Sequence, residues 1–410
     1  MKRSILLLVF AGIVSIKSKA QAPDITSWLQ NTTVTGYAGI VSNVQLVQYN
    51  ATYVYVSTNC IPEYGIGPWP TDPNIPSAQN AVCEFPRTPV PNTGTLTSTP
   101  LGSIGLWSNG VQMFNPEDGF HWNNATSSWA MGPAASWNRN ALIFEGPSFD
   151  SCLGHPAPGG VYHNHVNPKC LYNDLDSTHH SPIIGYAFDG YPVYGAYGYS
   201  DTSAIGGTVK RIRTSYALNP DTSVRHTGGG PVPVTTYPMG DCVDDYIYTA
   251  GSGDLDVHNG RWCHTPDYPG GTYAYFVSID ANRNPIYPLI IGPTYYGILG
   301  SNSVHVTPSG TDTTYKPAST GVAQLPNTTI KYQVVPNPVI DHAYIYMDAS
   351  SVNNIKGSLF DMAGRMVKTV NYLMQPTIAY ALDMSDLPSG TYILSFEGGG
   401  NTVTQKIVKE

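Results

Sequence analysis

The 410-residue chain has little charge: Asp, Glu, Lys and Arg make up 12% of it, about half the share usual in globular domains. Helical bundles and long coiled coils, which need charged outer faces, are excluded as the main architecture. Basic residues are the scarcer sign. Lys2, Arg3, Lys17 and Lys19 fall in the first twenty positions, and the rest of the chain carries 16 basic residues against 28 acidic ones. Such a balance repels phosphate backbones and excludes nucleic acid as a partner. No apolar run after residue 20 approaches the roughly 20 residues that cross a bilayer, so no transmembrane anchor is expected. No CxxC pair, GxSxG elbow or glycine pattern of a nucleotide-binding turn is present, which argues against zinc-thiolate sites, serine hydrolases and nucleotide enzymes.

What the chain does have is 41 Gly, 34 Pro and 29 Tyr, a composition of strands and turns. A mainly β fold follows. Residues 1–20 combine a basic start, an apolar stretch at 5–14 and a small-residue exit at Ser18 and Ala20, the pattern of a secretory signal peptide cleaved near Ala20. From residue 21 to 306 short strand-like runs recur; in "GTYAYFVSID" Tyr273, Tyr275, Val277 and Ile279 share one face of a period-two strand. Residues 307–331, rich in Thr, Ser, Pro and Gly, read as a linker. Residues 332–410 return to alternating runs broken by "DMAG", "LPSG" and "GGGN" turns. These suggest about seven strands of a small immunoglobulin-like β-sandwich.

Export makes the six cysteines a disulfide framework. They fall into three couples close in sequence, so the favoured pairs are Cys60 with Cys83, Cys152 with Cys170, and Cys242 with Cys263. The first domain is thus expected to be disulfide-stapled and loop-rich.

Five of the eleven histidines, His155, His163, His165, His179 and His180, lie within 26 residues. On a strand, His163 and His165 face the same way about 7 Å apart, near enough to share a metal ion. His155 is the best third ligand, because a Cys152–Cys170 bridge folds its turn back over that strand. Asp150, Asp174, Asp176, His179 and His180 are candidates for a fourth ligand or a supporting carboxylate. Imidazoles suit copper or zinc. The bland reading is that these histidines make structural hydrogen bonds. A second polar run, "AFDGYPVYG", places Asp189 in a turn beside Tyr191 and Tyr194. With Tyr162 these form either a pocket for a small molecule or glycan or plain core.

The same words carry a resemblance. "YHNH" at 162–165, "CLGHP" at 152–156, "IIGYAFDGYPVYG" at 183–195, "LDVHNGRW" at 255–262, "YPGGTYAYF" at 268–276 and "WSNGVQMFN" at 107–115 together resemble the YHYH domain family. The sequence departs from it twice. Asn164 replaces the second Tyr of the name motif, and the later strand reads "YAYF" with no histidine, although His258 and His264 lie nearby. The resemblance implies a fold and a site location rather than a reaction. The C-terminal segment resembles the sorting domain of type IX secretion substrates, through "PNP" at 336–338, "LFDMAGRMV" at 359–367, "LPSGTYIL" at 387–394 and the basic ending "QKIVK". That implies passage through the type IX machinery to the medium or the outer-membrane cell surface. Two functions stand open: a transition-metal protein built on the histidine cluster, or a non-enzymatic adhesion module with a Tyr-rich glycan-binding surface.

Overall fold

In a computed structural model, the protein is described over residues 21–301, 304–309, 312–317, 331–348, 355–372, 380–398 and 401–410. The expected signal peptide and much of the expected linker lie outside the described residues. The chain divides into two compact units, Met1–Pro317 and Ala318–Glu410.

The first unit is built on an eight-stranded mixed sheet. Its strands run in the order Gly260–Cys263, Thr272–Phe276, Pro192–Tyr194, Ile183–Ala187, Ser103–Trp107, Gln112–Phe114, Tyr162–Asn164 and His155–Pro156. Two neighbouring pairs are parallel: Pro192–Tyr194 with Thr272–Phe276, and Tyr162–Asn164 with Gln112–Phe114. Both faces of the sheet are covered, so its central strands are buried throughout instead of alternately. Every residue of Ile183–Ala187 and of Thr272–Phe276 is buried. The expected single apolar face through Tyr273 and Tyr275 is therefore half the pattern, for Ala274 and Phe276 are also at 0% exposure. Trp107, Tyr162, Tyr194, Tyr275 and Phe276 lie in the same core, each contributing about 2 kcal/mol by leaving water.

A second sheet joins Val44–Tyr49, Tyr53–Thr58 and Ala81–Pro86, with Thr313–Thr314 added against Gln48 and Tyr49. Part of the stretch expected as linker is thus a strand of the first unit. The β-prone Thr-Thr-Tyr sequence supplies it, with the Tyr315 amide donating to the Val47 carbonyl at 2.8 Å.

The second unit has seven strands among the described residues. One sheet has three, Lys331–Val335, His342–Asp348 and Tyr380–Asp383; the other has four, Met366–Tyr372, Ile355–Asp361, Gly390–Gly398 and Asn401–Lys409. Val339, Ile345, Leu359, Leu394, Phe396 and Ile407 form a single core for this unit.

One disulfide is present among the described residues, Cys152–Cys170. The other expected couples are free thiols. Nearness in sequence misled here. Cys242 sits in a small cluster with Trp122 and Trp137, its sulfur accepting from Arg225 at 3.6 Å. Cys263 lies instead in the main core. Cys60 follows its strand in a left-handed turn with φ 60° and its sulfur accepts from Gln112 Nε2 at 3.4 Å; it lies near Cys83, on whose thiol it acts electrostatically, without bonding to it.

Candidate metal centre

The last two strands of the sheet form a hairpin. After His155–Pro156 the chain turns through 157–161, closed by Ala157 N–H to Val161 O and Gly160 N–H to Ala157 O, both 2.9 Å. It returns as Tyr162–Asn164, which sets His163 directly opposite His155. Directly opposed side chains lie on one face with Cβ atoms about 5 Å apart. His165 lies in the bend just past the strand, with its ring beside that of His163. Sequence periodicity and hairpin register thus bring three imidazoles together, with ring centroids 4.5 Å (155 to 163), 4.8 Å (163 to 165) and 5.9 Å (155 to 165) apart.

The turn that launches this hairpin is held by Asp150. One carboxylate oxygen accepts from the Cys152 and Gly154 amides; the other accepts from the Gly67 amide, Trp69 Nε1 and the Tyr162 hydroxyl. Leu153 is kept in the left-handed region at φ 62°, a strained position for a non-glycine residue. Gly154 must be glycine, since a Cβ there collides with the Tyr162 hydroxyl. The disulfide closes the loop containing all three histidines.

Glu145 completes the group. It follows the short helix Ala141–Phe144, whose first turn is capped by the Asn140 side chain. Ligand atoms of Glu145, His155, His163 and His165 all lie within 4.8 Å of one another. Donors about 2.1 Å from a zinc-sized ion stand roughly 3.3 to 4.2 Å apart, so small side-chain rotations close this cage.

The hydrogen bonds on the far side of each ring decide where its proton sits. His163 Nδ1 donates to the Val161 carbonyl at 3.0 Å, and His165 Nδ1 to the Asn115 carbonyl. Carbonyl oxygens only accept, so both Nδ1 atoms carry hydrogen. Ser148 Oγ donates to the Glu145 carbonyl at 2.6 Å and so accepts from His155 Nδ1 at 2.8 Å; Asp72 stands 3.2 Å from the same nitrogen. All three Nε2 lone pairs therefore converge. Nε2 atoms of His163 and His165 are 3.0 Å apart, and Glu145 Oε2 is 2.8 Å from the second. Glu145 Oε2 and His155 Nε2 are buried without a hydrogen-bond partner. Something positive belongs among these atoms, either a proton or a metal ion.

Electrostatics agree. Burial pushes His163 well below the usual histidine range, and the neighbouring His165 and His155 push it further, so its ring is neutral and ligand-ready. Burial pushes the Glu145 carboxyl up, but with a proton shared among the group the adjoining His155 and His165 outweigh this and hold it well below the usual carboxylate range. Phe114 stacks on His163 at 3.8 Å, and Phe149 lies nearly parallel to His165 at 6.2 Å.

The histidines form one wall of a cavity of about 410 Å³, also lined by Asp72, Leu101, Phe114, Glu117, Asp118 and Phe144. Asp118 is paired with Arg139, whose guanidinium lies between Phe120 and Phe144. Glu117 is pushed up to about 7 by burial, then by the charges of Asp244 and Asp118.

The remaining candidates lie elsewhere. His179 is exposed, its Nδ1 2.8 Å from Asp176. His180 packs edge-on against Tyr194 and Tyr199, with Nδ1 donating to the Ser181 carbonyl. Asp174 accepts from Asn167. His258 and His264 bond to the Thr294 and Thr202 carbonyls. Asp189, Tyr162, Tyr191 and Tyr194, read as a possible pocket, are core residues with at most 3% exposure, and none lines the histidine cavity. Glu145, Asp72, Ser148 and Glu117 were not foreseen. Glu145 gave only a faint signal, an acid ten residues before His155; Asp72 arrives from a distant loop that has none.

A family model described as "YHYH protein" matches residues 82–287, half of the chain, and one described as "Secretion system C-terminal sorting domain" matches residues 333–410. No curated protein matches the chain.

Proposed function

The chain belongs to the YHYH protein family and ends in a secretion sorting domain that marks it for type IX export, to the medium or the cell surface; on that premise we propose that its first unit holds one divalent transition-metal ion. His155, His163 and His165 supply three Nε2 ligands and Glu145 a carboxylate oxygen. The observation that carries this reading is the convergence of three imidazole Nε2 atoms and a carboxylate, with Glu145 Oε2 and His155 Nε2 buried without a hydrogen-bond partner. Three imidazoles and one carboxylate suit zinc or copper. The supporting carbonyls, Ser148 and Asp72 orient the rings from behind, as outer partners do in metal sites. Residues 1–20 serve as the signal peptide that precedes the type IX step.

The ion would stand at the wall of the cavity, where a small molecule can reach it. If zinc is held there, a bound water becomes a nucleophile near neutral pH. The glycan-binding alternative draws no support from the Tyr-rich run, which is core.

Elemental analysis tests the proposal. The full chain, exported and oxidised and without a His tag, is expected to carry about one zinc or copper ion. A folded His163→Ala, His165→Ala double variant is expected to carry none. Metal retained by the double variant, or absent from both proteins after incubation with zinc and copper, overturns the reading.

A further inference from the structure

Charge around the cavity is one-sided. Asp72, Glu117, Asp118 and Glu145 line it, and no Lys or Arg does. Three of these carboxylates are already engaged. Asp118 pairs with Arg139, Asp72 accepts from the Asn74 amide and stands beside His155 Nδ1, and Glu145 faces the imidazoles. Glu117 differs: among the described residues its side chain has no hydrogen-bond or ion-pair partner, and it lies on the wall of a cavity large enough for a small organic ligand. Leu101, Phe114 and Phe144 supply apolar surface in the same space.

A half-buried carboxyl beside other acids and without a protein partner is relieved by a cation that donates hydrogen bonds to it. Anions meet the opposite field. We propose that the cavity takes a small amphipathic molecule with a cationic nitrogen, its ammonium group bound by Glu117 and its apolar body set between Phe114 and Phe144. This ligand class rests on the metal reading for what happens at the other end of the cavity, but its recognition by Glu117 stands on the cavity alone.

Three ligands of one shape and different charge test it: benzylamine, benzyl alcohol and benzoate, titrated calorimetrically into the full chain, both chelator-treated and zinc-loaded. In the chelator-treated chain benzylamine is expected to bind roughly tenfold tighter than benzyl alcohol, the size of one charge-assisted hydrogen bond, with benzoate weakest. Glu117→Gln, matched in shape, is expected to erase the amine preference while leaving metal content and thermal unfolding unchanged. Benzoate binding as tightly as benzylamine, no binding by any of the three, or an amine preference that survives Glu117→Gln overturns the assignment. Should the chain take up no metal, the metal reading fails by itself, and the chelator-treated titrations still decide this one.

Discussion

Two carboxylates of the first unit, fully buried Asp189 and partly exposed Glu145, have opposite surroundings. Asp189 is fully buried and accepts from the Tyr275 hydroxyl at 2.6 Å, the Gly297 amide at 2.8 Å and the Tyr191 amide at 3.2 Å. Around it Tyr273 and Tyr296 stack at 3.6 Å, and the Tyr273 hydroxyl donates to Asp256. Glu145 faces three imidazoles whose Nδ1 atoms are all bonded elsewhere. Both places are aromatic and acidic, and from residue types alone either could be called a site. Satisfaction separates them. Asp189 has its donors and is architecture; in the Glu145 group Glu145 Oε2 and His155 Nε2 are buried without a hydrogen-bond partner, which is what supports the metal reading there.

The largest effect should come from filling the unsatisfied group. Zinc at a thousandfold excess over its Kd is expected to stabilise the chain by about 4 kcal/mol in urea unfolding, and the His163→Ala, His165→Ala variant by nothing. Equal stabilisation of both would erase the distinction between the two regions. Next, Asp189→Ala leaves three donors buried without an acceptor. It should cost about 3 kcal/mol while metal content stays the same, so metal loss there would break the comparison.

A pH series sharpens it further. Burial pushes Asp189 up to about 6, against the hydrogen bonds from Tyr275, Gly297 and Tyr191. The folded chain thus holds this proton to higher pH than the unfolded chain, whose Asp titrates near 3.9. Its contribution to stability is complete below about pH 4 and is lost as pH rises to about 6, by roughly 2 to 3 kcal/mol. Metal affinity should run the other way, rising with pH because imidazoles bind metal only when neutral. Urea unfolding in chelator from pH 4 to 7, wild type beside Asp189→Asn, reads the first trend; parallel curves would contradict it. The smallest effect belongs to His179→Ala. At this exposed position both stability, within about 0.5 kcal/mol, and metal content are expected to hold; a loss of metal would draw His179 into the centre.

Much of the centre was legible in the sequence because its geometry is local. Two histidines at i and i+2, one on the strand and one just past its end, stay side by side, and a hairpin with glycines at its turn returns a third to them. The mainly β class followed equally from Gly, Pro and Tyr content. Glu145 escaped because its placement depends on a short helix packing back over the hairpin, and Asp72 because it comes from a loop more than eighty residues upstream of His155. Of the three cysteine couples only Cys152–Cys170 forms a bridge, and the other two fail for a related reason. Spacing in sequence says how long a loop is and nothing about which core each sulfur enters, so Cys242 and Cys263 ended in different clusters. The Tyr-rich run was ambiguous between pocket and core, since a tyrosine whose hydroxyl finds a partner is as content inside as at a surface.

The edge strand His155–Pro156 has a consequence beyond the centre it serves. It is two residues long and one of them lacks an N–H, so the eight-stranded sheet ends in an edge that offers a neighbouring copy almost no ladder to join. A protein that crosses crowded envelope compartments before reaching its destination meets many copies of itself along the way. The same dipeptide that carries His155 thus guards the sheet against growing into an aggregate, and lengthening it with a β-prone residue in place of Pro156 would weaken that protection.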